Sequence, residues 1–209
     1  MFWLLQQSLS GLETYFELAD RGPAGSLIGN RDALHALYGE TRPCVVPRLE
    51  IDDPAFDLDL FEDGATFVSR RMIDVMGLPA SAATFGDVDD AACVAAVRER
   101  GYRTMELLAR GDALDHDASD GEIVEVVGAN GEIAREWMLV APDPNRPAPR
   151  AVWRSGFEAP ADLFRVDGTS WQAVTEALAA RIGAARLVGV DLVDPVASAA
   201  TGDLVRWRP

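Results

Sequence analysis

The stretch TFVSRRMIDVMG, residues 66–77, predicts a strand that leads directly into a helix. Its first three residues are β-branched or aromatic, and such residues favour strands. Ser69 stands where a helix N-cap is expected, because its hydroxyl can accept a hydrogen bond from a backbone N–H in the first turn. Gly77 can adopt the left-handed conformation that commonly ends a helix. We therefore expect a strand-to-helix unit here, with Met72 and Met76 on the inner face of the helix.

Around this unit the sequence predicts more strands than helices. Apolar and aromatic residues indicate strands over 2–9 and 102–108. Two further runs, 123–127 and 133–140, flank an Asn-Gly pair that is typical of a hairpin turn. Strands and helices do not alternate regularly, so a doubly wound parallel sheet is not expected. The predicted fold class is α+β, with a mixed or mainly antiparallel sheet and a few packed helices.

A long helix is expected near the end of the chain. Apolar residues from Trp171 to Ile182 recur at helical spacing. Either Thr169 or Ser170 could provide the N-cap oxygen, and Gly183 is a plausible end.

The length of 209 residues is that of one domain, or of two small lobes at about 1–85 and 86–209. Apolar residues make up 48% of the chain, which is enough to build a core without a disulfide or a metal. The two cysteines, Cys44 and Cys93, are best interpreted as small buried apolar residues. We expect no cofactor and no metal.

The net charge of −15 limits the possible partners. All 19 basic residues are arginines, and nucleic-acid binding proteins need a cationic stripe that this composition does not suggest. The sequence shows no signal peptide and no apolar run long enough to span a membrane. We therefore expect a cytoplasmic protein with no direct nucleic-acid or membrane partner.

Two acidic runs contain the clearest candidate surface. Run 1 is EIDDPAFDLDLFED at residues 50–63, and run 2 is DALDHDASDGEIVE at residues 112–125; neither contains an arginine. In run 1, Phe56, Leu58 and Leu60 alternate with Asp57 and Asp59, which predicts carboxylates on the outer face. Such a surface either keeps the protein soluble or faces a cationic partner. The candidate partner-binding residues are Glu50, Asp52, Asp53, Asp57, Asp59, Glu62, Asp63, Asp115, Asp117 and Asp120.

The same residues offer little for catalysis. Run 2 could hold Mg²⁺ or Ca²⁺ through its carboxylates, although its spacing departs from an EF-hand loop. His116, within run 2, could act as an acid or base, but it has no nearby nucleophile in the sequence. No G-x-S-x-G or G-x-G-x-x-G motif occurs. A metal-assisted hydrolase on run 2 therefore stays an alternative, beside an acidic adaptor protein.

Several segments in order resemble a known family. They are FWLLQ at 2–6, FVSRRMIDVM at 67–76, YRTM at 102–105 followed by DALDHDAS at 112–119, and DLFRV at 162–166 followed by a helix and LVGV at 187–190. Their order and spacing are similar to those of a family of bacterial polymorphic-toxin immunity proteins that is named after a myxobacterial member.

The resemblance implies a function as well as a fold. Members of this family are non-enzymatic cytosolic proteins that bind and neutralise a cognate toxin encoded beside them. Such toxins are often delivered by contact-dependent machinery such as type VI secretion. The resemblance therefore leads us to expect an immunity protein, whose acidic surface would occlude a basic site on the toxin.

Overall fold

A computed structural model describes residues 2–7, 46–62, 65–127, 133–139 and 150–195. Its strands pair mostly antiparallel, and three short helices pack beside them, which confirms the α+β class. The helices are α1 (Arg70–Met76), α2 (Ala95–Glu99) and α3 (Glu176–Ala185). The strands are β1 (Phe2–Gln7), β2 (Leu60–Glu62), β3 (Thr66–Val68), β4 (Ala83–Gly86), β5 (Arg103–Leu107), β6 (Arg110–Gly111), β7 (Gly121–Val127), β8 (Ile133–Leu139), β9 (Leu163–Val166), β10 (Gln172–Thr175) and β11 (Val190–Val193).

Sheet 1 has the strand order β11-β1-β10-β9-β6. Strand β1 lies between two strands from the far end of the described chain, with Phe2 opposite Thr175 and Gln7 opposite Val190. The short strand β6 is parallel to β9, and the other pairs are antiparallel. The sheet is therefore held together by strand pairs whose residues are distant in sequence.

Sheet 2 has the order β2-β3-β5-β4 and is entirely antiparallel. Strands β7 and β8 form a separate pair, in which Gly121 lies opposite Leu139 and Val127 opposite Ile133. This pairing confirms the two predicted hairpin strands; the Asn-Gly pair itself lies outside the described residues.

Three hydrophobic clusters stabilise these sheets, because each removes apolar surface from water. Cluster 1 joins one face of each sheet to helices α1 and α3, and its members include Val68, Met72, Val174 and Leu178. The opposite face of sheet 2 packs in cluster 2, around Phe61 and Phe67. The opposite face of sheet 1 packs in cluster 3, which includes the residues Leu4, Ala113, Phe164 and Ala173.

The strand-to-helix unit forms as predicted. Ser69 is the N-cap of α1, and its hydroxyl accepts a hydrogen bond from the Met72 N–H at 3.1 Å. Gly77 ends the helix with a φ of 56°, and its N–H donates to the Ile73 carbonyl at 3.0 Å. The side chains of Met72 and Met76 are buried on the inner face.

The prediction of one long helix through Ile182 that ends at Gly183 is wrong at its beginning, and the helix also continues past Gly183 to Ala185. Residues 172–175 form strand β10, which pairs with β1 on one side and β9 on the other. The helix begins only at Glu176, where the Thr175 hydroxyl accepts a hydrogen bond from the Leu178 N–H at 3.3 Å. Two flanking strands satisfy the backbone of residues 172–175, so tertiary pairing overrides the local pattern.

Several predictions concern other parts of the chain. Cys93 is buried, as expected, whereas Cys44 lies outside the described residues.

Cluster 1 includes residues from both sides of position 85, and the division into one domain or two lobes stays a prediction. None of the helices in the described ranges is long and apolar enough to cross a membrane.

Candidate partner-binding surface

Run 1 crosses the face of sheet 2 that is covered by cluster 2. Its apolar residues Ile51, Phe56 and Leu58 are buried there, since they pack against Phe61 and the other rings of the cluster. Asp52 and Asp57 are exposed between them. The run is mostly irregular before β2 begins, and the burial of its apolar side chains holds it in place.

Asp59 overturns part of the predicted surface. Its side chain is fully buried, so the prediction that it faces outward to a partner is wrong. The backbone of Asp59 bridges two elements, because its N–H donates to the Val188 carbonyl at 2.7 Å and its carbonyl accepts from the Ser69 N–H at 2.9 Å. Because this segment is packed on both sides, its side chains do not alternate between buried and exposed positions. Leu58, Asp59 and Leu60 are all buried.

The buried carboxylate of Asp59 is surrounded by donors. Ser69 donates its hydroxyl at 2.6 Å, and the Val188 N–H donates at 2.9 Å. The guanidinium groups of Arg71 and Arg100 each lie 3.4 Å from a carboxylate oxygen. A buried charge needs such compensation. Asp59 therefore ties the start of α1 to the segment that precedes β11, which is a structural role.

Tyr102 extends this network within cluster 2. Its hydroxyl donates to the Leu58 carbonyl and accepts a hydrogen bond from the Arg100 Nε at 3.0 Å. Burial raises the pKa of the Tyr102 hydroxyl well above its ordinary value. The phenol thus stays a neutral hydrogen-bond donor that fixes run 1 against β5.

The other carboxylates of run 1 divide by their local contacts. Glu50 forms an ion pair with Arg48 at 3.2 Å, and Asp53 accepts a hydrogen bond from the Ala55 N–H at 2.8 Å. Asp52, Asp57 and Glu62 are exposed. Asp63 lies outside the described residues. Run 1 therefore still presents exposed negative charge without Asp59.

Run 2 is a loop fastened to residues 150–154. The Asp115 N–H donates to the Val152 carbonyl at 2.9 Å, and the Val152 N–H donates to the Ser119 hydroxyl at 2.9 Å. Asp120 accepts a hydrogen bond from the Arg150 N–H at 2.9 Å and also lies 3.4 Å from the Arg150 Nε. These contacts give Ser119 and Asp120 structural roles.

The remaining acids of run 2 differ in exposure. Asp115 is partly buried, and its carboxylate accepts a hydrogen bond from the Ala118 N–H, three residues on, at 3.1 Å. Asp112 forms an ion pair with Arg154 at 2.9 Å. Asp117 is exposed. Of the three predicted contacts here, Asp117 is therefore the one most open to a partner.

The metal hypothesis for run 2 gains no support from the positions of these side chains. Among the described residues, no group of three or more histidine, cysteine or acidic side chains is placed to hold a metal ion. Asp112 and Asp120 are directed to arginines instead. His116 packs edge-on against the Trp137 ring, with 5.4 Å between ring centroids.

The two acidic runs pack against different parts of the hydrophobic core. Run 1 packs its apolar residues into cluster 2, whereas run 2 packs Ala113 and Leu114 into cluster 3 on sheet 1. The structure also brings together two arginines that the sequence did not single out, Arg110 on β6 and Arg165 on β9. They are far apart in the chain, and only the pairing of the strands could have shown their proximity.

Comparisons with known proteins add no relative to this picture. No protein-family model matches the chain. A search of curated proteins also found no match. The functional argument therefore depends on the residues and geometry of the chain itself.

Proposed function

We propose that this chain is an immunity protein that binds and neutralises a cognate toxin, and that it is not an enzyme. The observation that carries the proposal is the excess of negative charge, −15 overall, together with exposed carboxylates in both acidic runs. The motif resemblance at residues 67–76, 102–119 and 162–190 supports the same function.

Exposed carboxylates at this density have a cost that a partner can offset. Like charges on one surface repel one another and weaken the folded state. A cationic partner relieves that repulsion as it docks. Asp52, Asp57, Glu62 and Asp117 are exposed and can contribute to such a field. The target surface on the toxin would accordingly be basic, as in an active site that binds phosphate.

Charge complementarity would mainly accelerate capture. Steered association can reach roughly 10⁸ M⁻¹s⁻¹, compared with about 10⁵–10⁶ M⁻¹s⁻¹ without steering. Fast capture suits an inhibitor that must act before the toxin does. Most of the affinity would come from a few buried contacts at the centre of the interface.

The decisive experiment pairs this chain with the product of the neighbouring reading frame. We expect that the neighbour alone arrests growth, and that co-expression with this chain restores growth and yields a complex on co-purification. A harmless neighbour and no complex would contradict the proposal.

An acidic adaptor with another basic partner is the second candidate, because the same exposed carboxylates would serve it. A toxic neighbour that this chain neutralises would exclude the adaptor function. Calorimetric titration with Mg²⁺, Ca²⁺ and Mn²⁺ tests the hydrolase alternative, and we expect no binding heat at millimolar metal.

A further inference from the structure

An open cleft of about 600 Å³ lies between strands of the two sheets. Strands β3, β4 and β5 of sheet 2 contribute one part of its lining, and β6, β9 and β10 of sheet 1 contribute the other. Its volume is within the range of sites that bind small molecules, about 300–1,000 Å³. One contact joins the cleft to run 1, because the Thr66 hydroxyl donates to the Glu62 carboxylate at 3.5 Å.

Two arginines on adjacent strands line this cleft. Arg110 of β6 and Arg165 of β9 are directly paired in the parallel register. The Arg165 N–H donates to the Ala109 carbonyl at 2.9 Å, and the Asp167 N–H donates to the Gly111 carbonyl at 3.0 Å. Neighbouring strands lie about 4.8 Å apart, so the backbone holds the two side chains next to each other.

The arginine pair carries uncompensated positive charge. Several other arginines pair with carboxylates, as Arg103 does with Asp87 at 3.0 Å and Arg181 with Asp162 at 3.0 Å. Within the described residues, no acidic side chain forms an ion pair with Arg110 or Arg165. Like charges at paired strand positions destabilise a sheet. A bound anion would offset this repulsion.

Other lining groups suit an anion that belongs to a larger molecule. The hydroxyls of Thr84 and Thr104 and the amide of Gln172 are hydrogen-bond donors at the cleft. Glu106 adds one negative charge to the lining. Among the lining residues that the structure describes, two arginines against one glutamate give a net positive charge on a strongly anionic protein.

We propose that this cleft binds a small molecule through an oxyanion group, a phosphate or a carboxylate, held between Arg110 and Arg165. A guanidinium can donate two parallel hydrogen bonds to such a group, and these charge-assisted bonds are stronger than neutral ones. Met105 and Leu107 at the same cleft offer apolar contact to the remainder of the ligand. This site is independent of toxin neutralisation.

Calorimetric titration of the purified chain with inorganic phosphate and, separately, with citrate tests the proposal at constant ionic strength. We expect saturable binding of at least one probe, and the stronger probe identifies the oxyanion. The double variant R110Q/R165Q should bind at least tenfold more weakly. The control R135Q removes an exposed arginine of the β7–β8 hairpin and should change affinity less than twofold. Glu106→Gln should strengthen binding.

Thermal unfolding separates a binding role from a structural one. Without ligand, R110Q/R165Q should unfold at the wild-type temperature or slightly above it, because the repulsion is relieved. Saturating probe should raise the unfolding temperature of the wild type but not that of the double variant. No saturable binding of either probe, equal binding by R110Q/R165Q and R135Q, or a marked loss of stability in the double variant would each overturn the proposal.

Discussion

The role of Asp59 in the structure differs from the role that its sequence context predicts. It belongs to an acidic run, yet its carboxylate is buried among the Ser69 hydroxyl, the Val188 N–H and two guanidinium groups. Its neighbours Asp52 and Asp57 stay at the surface. Charge composition therefore does not distinguish a carboxylate that holds the fold from one that can meet a partner.

Replacement of Asp59 by alanine should destabilise the protein strongly. The change leaves the Val188 N–H and the Ser69 hydroxyl without their acceptor, and breaking a buried ion pair typically costs about 3–5 kcal/mol. We expect the lower end of that range, because Arg71 is half exposed and can be hydrated. Urea unfolding measures the loss. Asp52→Ala is the matched control, with an expected change below about 0.5 kcal/mol; equal stability of the two variants would contradict the assignment.

Asp162 predicts a dependence of stability on pH. Hydrogen bonds from Thr175 and Arg181, at 2.7 and 3.0 Å, hold the pKa of this carboxyl below its ordinary value. A lowered pKa in the folded state means stability that is present at neutral pH and is lost as pH falls through that pKa. The contribution is modest, about 1 kcal/mol or less, because the pair is partly exposed.

The measurement compares the unfolding free energies of the wild type and Asp162→Asn. The difference should be largest near pH 7 and should shrink as the pH is lowered below about 4, the ordinary range of aspartate. Arg181→Gln in the wild-type background should reduce the same pH dependence. If the difference in unfolding free energy between the wild type and Asp162→Asn does not change with pH, this explanation is contradicted.

Local sequence signals were enough to predict helix α1 but not strand β10. Helix α1 could be located from residues 66–77 because its cap, its apolar face and its terminal glycine all lie within that stretch. The segment at 172–175 has no such signals, and its apolar residues suit either a helix or a strand. Its pairing with β1, which is distant in sequence, decides the outcome. Sequence reasoning therefore failed where non-local contacts decide the structure.

The β7–β8 hairpin requires a glycine at position 121. A Cβ at this position would lie only 1.9 Å from the ring of Trp137 on the paired strand. Gly121→Ala should therefore displace the indole and destabilise the protein by about 1–3 kcal/mol. Thermal unfolding and indole fluorescence detect the change. In a Trp137→Phe background the smaller ring should reduce the penalty of Gly121→Ala, and an unreduced penalty would refute the steric explanation.

At the scale of the whole molecule, the total charge could be predicted but not its arrangement. Composition gave the surplus of acidic residues, and several of them are exposed. Folding buries Asp59 and directs Asp120 to Arg150. It also places Arg110 beside Arg165 through strand pairing. These outcomes depend on contacts between distant segments, which periodicity and composition do not contain.

The exposed acids predict how fast the partner is captured. If the partner is the proposed toxin with a basic site, its association rate with the triple variant D52N/D57N/D117N should be about tenfold lower at low salt, since steering scales with surface charge. The control D74N/E99Q/E158Q removes the same charge from exposed sites outside both runs, and we expect less than a twofold change. Stopped-flow mixing at two salt concentrations measures both rates. Equal slowing of the two variants would assign the effect to net charge alone.

The position of β1 between β10 and β11 has a consequence for the newly made protein. Its partner strands β10 and β11 follow it by more than 160 residues. At about 5–20 residues per second, a ribosome needs roughly 10–30 s to supply them. Until then β1 lacks these two partner strands, and sheet 1 can form completely only after translation has passed residue 193. Under the proposed immunity function, this delay would make the protection of a cell under attack depend on molecules completed earlier.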